Sequence, residues 1–170
     1  MHTQDELPVA ITPLAMTVGA FTAVLMLVFS AVGWQFMVWF IFMFGVWYGM
    51  RFWRKEKVGS ISYFLALNIG AKTAFYTSLI MAFANYVAAT LEPSLIIKTL
   101  DAVEQRLLTL EVPSLLTETA MQQWREILTP LMLGGITIFM YTVFGFFVAL
   151  FCAFFIKKGQ PPVSDEPLNP

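Results

Sequence analysis

Four long apolar stretches, separated by short polar or charged segments, are the feature that most restricts how this chain can fold. They cover residues 9–32, 36–50, 61–91 and 131–156. With their flanking residues, each reaches the ~17 to 25 residues that a membrane-spanning helix needs. The chain is 58% hydrophobic and 12% charged, about half of the ~25% charge typical of a soluble domain. The sequence therefore predicts an all-α integral membrane protein, with four transmembrane helices in one domain over residues 1–158.

The predicted spans cover about 10–32, 35–51, 71–91 and 130–156. The third apolar stretch would be roughly 46 Å long as a helix, which exceeds a hydrocarbon core of about 30 Å. Lys72 indicates which part spans, because a start at Ala71 lets its ammonium group reach the nearby interface along its apolar stem. Residues 59–70 are then either an interfacial lead-in or an extension of the helix.

The region between the third and fourth spans, residues 92–128, is predicted to be an outer helical loop. Its apolar residues recur at spacings of three and four, as on one face of a helix; they are Ile96, Leu100, Val103, Leu107 and Leu110. This amphipathic helix could lie on the membrane surface, on the protein itself or on a partner. Its polar face is mildly acidic, which disfavours anionic lipid and favours packing on the protein.

A second outer helix is predicted after a break at Val112-Pro113-Ser114. Its shared face consists of Leu116, Ala120, Trp124 and Ile127 or Leu128. We expect this helix to run on into the fourth span. Beyond that span, the proline-rich tail at 159–170 is predicted to be disordered.

The distribution of Lys and Arg predicts the orientation. Six of them lie in the segment after the second span or at the end of the fourth, against three in the outer loop, namely Lys98, Arg106 and Arg125. Basic flanks face the cytoplasm. Both termini are therefore predicted to be cytoplasmic, with the outer loop on the other side.

Small residues indicate which helix faces pack, since membrane helices associate where backbones can approach closely. The candidate packing residues are Gly19 in the first span, Gly45 and Gly49 in the second, Ser78 and Asn85 in the third, and Gly145 in the fourth. Asn85 is expected to form an interhelical hydrogen bond. An ordinary four-helix bundle explains all of these residues, and a homodimer seam through the GxxxG pattern of Gly45 and Gly49 is the alternative.

Lys72 is the only ionisable residue within the predicted spans that suggests chemistry. Its interface position favours a snorkelling role. Asn68 and Tyr76 lie four residues to either side, so the three residues could instead form the polar wall of a small cavity near the cytoplasm.

The sequence contains no pattern that predicts catalysis or a cofactor. It has no phosphate-binding loop, no nucleophile elbow and no histidine pair for zinc, and its one cysteine, Cys152, lies in an apolar stretch. No nucleic-acid-binding pattern is present. A lipid-modifying enzyme would need a carboxylate cluster at the outer interface, built from Glu92, Glu118 or Glu126.

Nearly the whole chain resembles a bacterial membrane family of the Bacteroidetes, domain-of-unknown-function family 4199. The matching features are the basic segment followed by residues 59–64, the end of the third span at Glu92-Pro93, the helical outer loop, and Gly145 ahead of Lys157-Lys158. The resemblance implies a four-helix protein of the bacterial inner membrane and carries over no active site. Proteins similar to this family are often encoded near membrane-associated glycosyltransferases, so the resemblance implies a partner of that type.

Packing faces without catalytic or ion-path residues favour one function in particular. We expect a small non-enzymatic inner-membrane protein that serves as an accessory or scaffold for another membrane component. The alternative is a transporter, or a lipid- or small-ligand-binding membrane protein, that acts as an oligomer and uses Asn68, Lys72 and Tyr76 to line its cavity.

Overall fold

A computed structural model describes the backbone of residues 7–57, 62–110 and 114–156, and the side chains within 11–55, 62–110 and 118–156. Every regular element in this part of the chain is an α-helix. The six helices are α1 (Leu7–Ala31), α2 (Gln35–Lys57), α3 (Tyr63–Leu91), α4 (Ser94–Thr109), α5 (Ser114–Ile127) and α6 (Pro130–Ile156). Of these, α1, α2, α3 and α6 are long and apolar enough to cross a membrane. The predicted all-α fold with four membrane-spanning helices is confirmed.

A glycine in the left-handed backbone region closes the turn between α1 and α2. Gly33 has a φ of 83°, which residues with a Cβ rarely adopt. Its N–H donates to the Ser30 carbonyl at 3.0 Å, and the Trp34 N–H donates to the Phe29 carbonyl at 3.0 Å. These are the paired bonds of a Schellman motif. The rings of Phe29 and Trp34, 5.9 Å apart, supply the apolar contact that commonly accompanies it.

The third long helix is uninterrupted over its whole length. Ser62 caps its start, because the Leu65 N–H donates to the Ser62 hydroxyl oxygen at 3.3 Å. Residues 63–70 are therefore part of the helix, and whether they lie at the interface stays a prediction. At 29 residues, α3 is about 43 Å long and exceeds a hydrocarbon core of about 30 Å. The span at 71–91 remains a prediction about which part lies in lipid.

The expectation that the second outer helix runs on into the fourth span is wrong. Helix α5 ends at Ile127 and α6 begins at Pro130. Proline has no N–H and disfavours the helical conformation at the residue before it, here Thr129. Thr129 caps α6 instead, since its hydroxyl oxygen accepts the Met132 N–H at 3.3 Å. Pro130 occupies the first helical position, where a missing donor costs little.

The chain forms two compact units. The first unit comprises residues 1–77 and 141–170, and the second comprises residues 78–140. The largest fully buried apolar side chains are all in the first unit: Phe42, Met26, Met50, Ile69 and Val46. The core cluster of the second unit consists of Leu100, Met121 and Leu128. The prediction of one domain over residues 1–158 stays a prediction.

Some predictions concern residues outside the part of the chain that the structure describes. These are the tail at 159–170, the basic pair Lys157-Lys158, residues 59–61 of the family pattern, and Val112-Pro113 of the helix break.

Candidate functional site

In the first unit, α1 and α3 approach each other so closely at Gly19 that no side chain fits between them. A Cβ on Gly19 would lie 2.9 Å from the Tyr76 Cβ and 3.0 Å from the Thr73 carbonyl oxygen. The buried Thr77 hydroxyl lies 3.2 Å from the Gly19 carbonyl oxygen and 2.9 Å from the Thr73 carbonyl oxygen. A hydroxyl has one proton, so it donates to one of these two carbonyl oxygens at a time. The glycine thus permits a hydrogen bond between two spans.

The GxxxG pair of α2 packs within the chain. Gly45 and Gly49 are both buried. A Cβ on Gly45 would overlap the Thr22 side chain of α1, and a Cβ on Gly49 would lie 3.0 Å from the Thr73 hydroxyl oxygen of α3. A homodimer seam through this face would therefore have to displace α1 and α3.

The small face of α6 is also buried in the first unit. Gly145 lies against α2 and α3: a Cβ there would overlap Ala74 and lie 2.8 Å from the Phe42 ring. Ala149 and Ala153, one and two turns further along α6, are fully buried. The residues that the small-residue pattern singled out on α1, α2 and α6 thus face other helices of the same unit.

Lys72 joins α3 to α1. Its ammonium group donates to the Thr12 hydroxyl oxygen at 3.2 Å, and the side chain is half-buried. Tyr76 is also half-buried, and Asn68 is exposed. Lys72 and Tyr76 therefore have packing partners on α1, and a polar cavity lined by these three residues stays a prediction.

Among the described basic side chains at the end of α2, one bonds to another helix and two are accessible. Arg54 donates to the Ile156 carbonyl oxygen at 3.1 Å, which satisfies a terminal carbonyl of α6. The exposed Arg51 guanidinium lies 5.0 Å from the centroid of the Trp47 ring, a cation–π distance. Lys55 is exposed as well.

An open groove of about 750 Å³ runs between α1 and α2. It is lined from α1 by Leu14, Thr17, Val18, Phe21, Thr22 and Leu25, and from α2 by Phe40, Ile41, Phe44, Gly45, Tyr48 and Phe52. Nearly all of this lining is apolar. We refer to it as the α1–α2 groove. Neither Asn68, Lys72 nor Tyr76 belongs to it.

Sequence reasoning missed this groove, although part of its signal is visible. Phe40, Phe44, Tyr48 and Phe52 recur every four residues and so form one wall. The Tyr48 ring lies 6.0 Å from the Phe44 ring and 5.8 Å from the Phe52 ring, measured between centroids. The opposite wall depends on how α1 is rotated against α2, which the sequence alone does not specify.

In the second unit, a polar contact joins α3 to α6. The Asn85 amide donates to the Thr137 hydroxyl oxygen at 3.0 Å, and the Thr137 hydroxyl donates to the Leu133 carbonyl at 2.8 Å. Asn85 is therefore an interhelical hydrogen-bond donor, as the sequence suggested. The third-span packing candidate Ser78 is fully buried.

The two outer helices pack on each other through a small apolar cluster. Ile96 and Leu107 of α4 and Ile136 of α6 pack against the core residues Leu100, Met121 and Leu128. Val103 and Leu110, however, are 44% and 73% exposed. The amphipathic stripe of α4 thus packs on the protein only in part.

Charged side chains on and next to the outer helices form ion pairs near the protein surface. Glu92 accepts hydrogen bonds from the Ser94 hydroxyl at 2.7 Å and from the Lys98 ammonium at 3.0 Å. The Ser94 bond first, and then Lys98, hold the pKa of Glu92 below its ordinary value. Arg125 lies 3.3 Å from a Glu104 carboxylate oxygen and 3.5 Å from an Asp101 oxygen.

The acidic residues that a lipid-modifying enzyme would require are in ordinary surroundings. Glu118 and Glu126 are exposed, and Glu92 is engaged by Ser94 and Lys98. Over the described stretches 7–57, 62–110 and 114–156, no group of three or more His, Cys, Asp or Glu residues could hold a metal ion.

Taken together, the fold and these contacts define a class: an all-α protein with four helices fit to cross a membrane, in which polar side chains join neighbouring helices. The chain belongs to the family described as "Protein of unknown function (DUF4199)", which matches residues 14–158. The resemblance drawn from the sequence is confirmed. No curated protein and no solved structure matches the chain.

Proposed function

We propose that this protein is a non-enzymatic accessory component of a bacterial inner membrane, which holds or stabilises another membrane protein. The proposal rests on one observation: the polar side chains between the helices form hydrogen bonds with one another or with the backbone of a neighbouring helix. Thr77, Lys72 and Asn85 each bond to a neighbouring helix. Among the described side chains, no buried nitrogen or oxygen lacks a hydrogen-bond partner. These polar groups inside the helical bundle thus hold helices together rather than face a substrate.

The exposed surface supports an apolar partner. Helix α6 presents a row of phenylalanine side chains, each more than half exposed: Phe139, Phe147, Phe151, Phe154 and Phe155. Phe147, Phe151, Phe154 and Phe155 belong to the first unit and repeat at helical spacing, so they form one continuous face there. Such a face meets either lipid or the side of another membrane helix.

The orientation in this proposal has both termini in the cytoplasm. It rests on the basic residues at the end of α2, of which Arg51 and Lys55 are accessible to headgroups and solvent. The outer helices α4 and α5 then lie on the opposite side of the membrane. A membrane-associated glycosyltransferase is the partner type that the family resemblance implies.

Site-specific photo-crosslinking in native membranes tests the accessory role. A benzophenone amino acid replaces Phe151 on α6, and in a second variant it replaces Phe83 on α3; these residues are 69% and 68% exposed. We expect one reproducible adduct with a different membrane protein from one position and not from the other. The tagged chain without the photoprobe is the control. Repeated recovery of the protein alone from both variants would contradict the proposal.

A further inference from the structure

We propose that the α1–α2 groove is a binding site for one acyl chain of an anionic phospholipid, with its headgroup held at the basic end of α2. This inference is independent of the accessory role. It assigns a ligand to a surface where α1 and α2, both in the first unit, leave space between them.

The dimensions of the groove fit one lipid leaflet. Its α2 wall extends from Phe40 to Phe52, which is about 18 Å along a helix axis. Half of a hydrocarbon core is about 15 Å. A volume of 750 Å³ lies within the ~300 to 1,000 Å³ of small-molecule sites. An acyl chain that follows this groove would therefore run from the interface to near the bilayer midplane.

The width of the groove disfavours a helix as its occupant. Spread over a length of about 18 Å, 750 Å³ corresponds to a mean cross-section of roughly 40 Å². A helix with its side chains is at least about 10 Å across, or roughly 80 Å² in section. The groove thus has room for one narrow, flexible chain along its length, whereas a helix would enter it only with part of its side-chain surface.

The walls are suited to a hydrocarbon chain. The neighbouring rings of Phe44, Tyr48 and Phe52 form a stiff surface on one side, and aromatic side chains lose little conformational freedom on contact. The Thr22 hydroxyl donates to its own helix at the Val18 carbonyl, and the Thr17 hydroxyl donates to the Pro13 carbonyl. Neither hydroxyl therefore needs a polar ligand.

Charge at one end of the groove selects the headgroup. Lys55 lies three residues beyond Phe52, which lines the groove, and Arg51 precedes Phe52 directly. Both are exposed and lie outside the ion pairs that the structure describes. Residues 51–57 carry four basic side chains and one acidic side chain, Glu56. Such juxtamembrane basic clusters attract anionic lipid headgroups.

Native mass spectrometry tests the proposal on the full chain, released from nanodiscs that contain equal amounts of phosphatidylglycerol and phosphatidylethanolamine. We expect one retained phosphatidylglycerol per chain, at least five-fold in excess over phosphatidylethanolamine. Thr17→Trp fills the groove from an exposed position and should lower retained lipid at least five-fold. Met16→Trp is the matched control, because Met16 is 58% exposed on the same helix and lies outside the groove.

A second variant tests recognition of the headgroup separately from binding of the acyl chain, because it leaves the lining of the groove unchanged. Arg51→Gln with Lys55→Gln should keep one bound lipid and lose the preference for phosphatidylglycerol, whereas Arg106→Gln should change nothing. Equal retention in the Thr17 and Met16 variants would overturn the proposal. An unchanged preference for phosphatidylglycerol in the double variant would also overturn it. A third contrary result would be a lipid-free wild-type dimer that Thr17→Trp converts to a monomer.

Discussion

The hydroxyl oxygen of Thr77 lies 3.2 Å from the carbonyl oxygen of Gly19, across the contact between α3 and α1. The Thr77 side chain of α3 thus reaches the backbone of α1. This approach requires that α1 have no side chain at the contact, as is the case at Gly19. In lipid, helices gain little from burying apolar surface against each other, so close packing and polar contacts decide which faces meet. Gly19 is therefore a position at which α1 has no room for a side chain.

Gly19→Ala should destabilise the protein by about 1–3 kcal/mol, the usual cost of overpacking. The new methyl would lie 2.9 Å from the Tyr76 Cβ and 3.0 Å from the Thr73 carbonyl oxygen, and neither can move without its helix. Gly135→Ala is the matched control, since nothing lies within 4 Å of a Cβ there; it should be neutral or gain ~0.5–1 kcal/mol from lower backbone entropy. Reversible unfolding in mixed micelles measures both, and equal stabilities would contradict the packing at Gly19.

The bond from Asn85 to Thr137 should contribute a small but measurable coupling. Interhelical hydrogen bonds in membranes average about 0.6 kcal/mol in double-mutant cycles, because the unfolded chain also finds partners. A cycle of Asn85→Ala and Thr137→Ala should therefore give a coupling free energy of about that size. Thr90→Ala is the control, since the exposed Thr90 hydroxyl bonds only to the Tyr86 carbonyl of its own helix. No coupling between Asn85 and Thr137 would show that the contact contributes nothing.

Cysteine labelling should give opposite results for α4 and for the basic end of α2, because the two are predicted to lie on opposite sides of the membrane. In a Cys152→Ser background, Gln105→Cys on α4 and Lys55→Cys on α2 both present exposed positions. If the termini are cytoplasmic, an impermeant maleimide labels the α4 cysteine in intact spheroplasts and the α2 cysteine only after permeabilisation. The reverse pattern would invert the proposed orientation.

The pKa of Glu92 should rise toward its ordinary value of 4.5 in Ser94→Ala, which removes the largest single cause of the lowering, and in Lys98→Met, which removes both a hydrogen bond and a charge. Because the folded-state pKa is lowered, the interaction stabilises the fold above the ordinary value and is lost as the pH falls through the lowered one. High salt should weaken the Lys98 contribution selectively, because charge interactions are screened. Carboxyl-carbon NMR titration measures the pKa, and Arg106→Gln is the control. An unchanged pKa in both variants would contradict the contacts.

Much of the fold could be predicted because lipid restricts the choices. Apolar length alone indicated α1, α2, α3 and α6, and spacings of three and four residues indicated α4. The junction at Thr129-Pro130 was missed because apolar residues continue on both sides, although proline after a capping threonine marks a helix start. Where the apolar pattern suggested one continuous helix and the proline suggested a boundary, the proline was the correct guide, because it restricts the backbone directly.

The candidate site was less predictable, because it depends on partners far apart in the chain. Lys72 was expected to reach the interface, yet its hydrogen-bond partner, Thr12, lies 60 residues away. The small residues Gly45 and Gly49 indicated a packing face correctly but not which helices would cover it. The α1–α2 groove arises from the relative rotation of two helices, and a rotation leaves no local sequence pattern.

The pairing of the outer helices α4 and α5 should depend on their apolar cluster far more than on their ion pairs. Leu100 is only 6% exposed among Met121 and Leu128, so Leu100→Ala should cost about 2–5 kcal/mol. The pairs that Arg125 forms with Asp101 and Glu104 are between exposed or half-exposed side chains, so Arg125→Gln should cost only ~0.2–1 kcal/mol. Hydrogen exchange of the α4 amides, with Leu108→Ala as an exposed control, measures these costs. A larger loss for Arg125→Gln than for Leu100→Ala would mean that the ion pairs, rather than apolar burial, hold the two helices together.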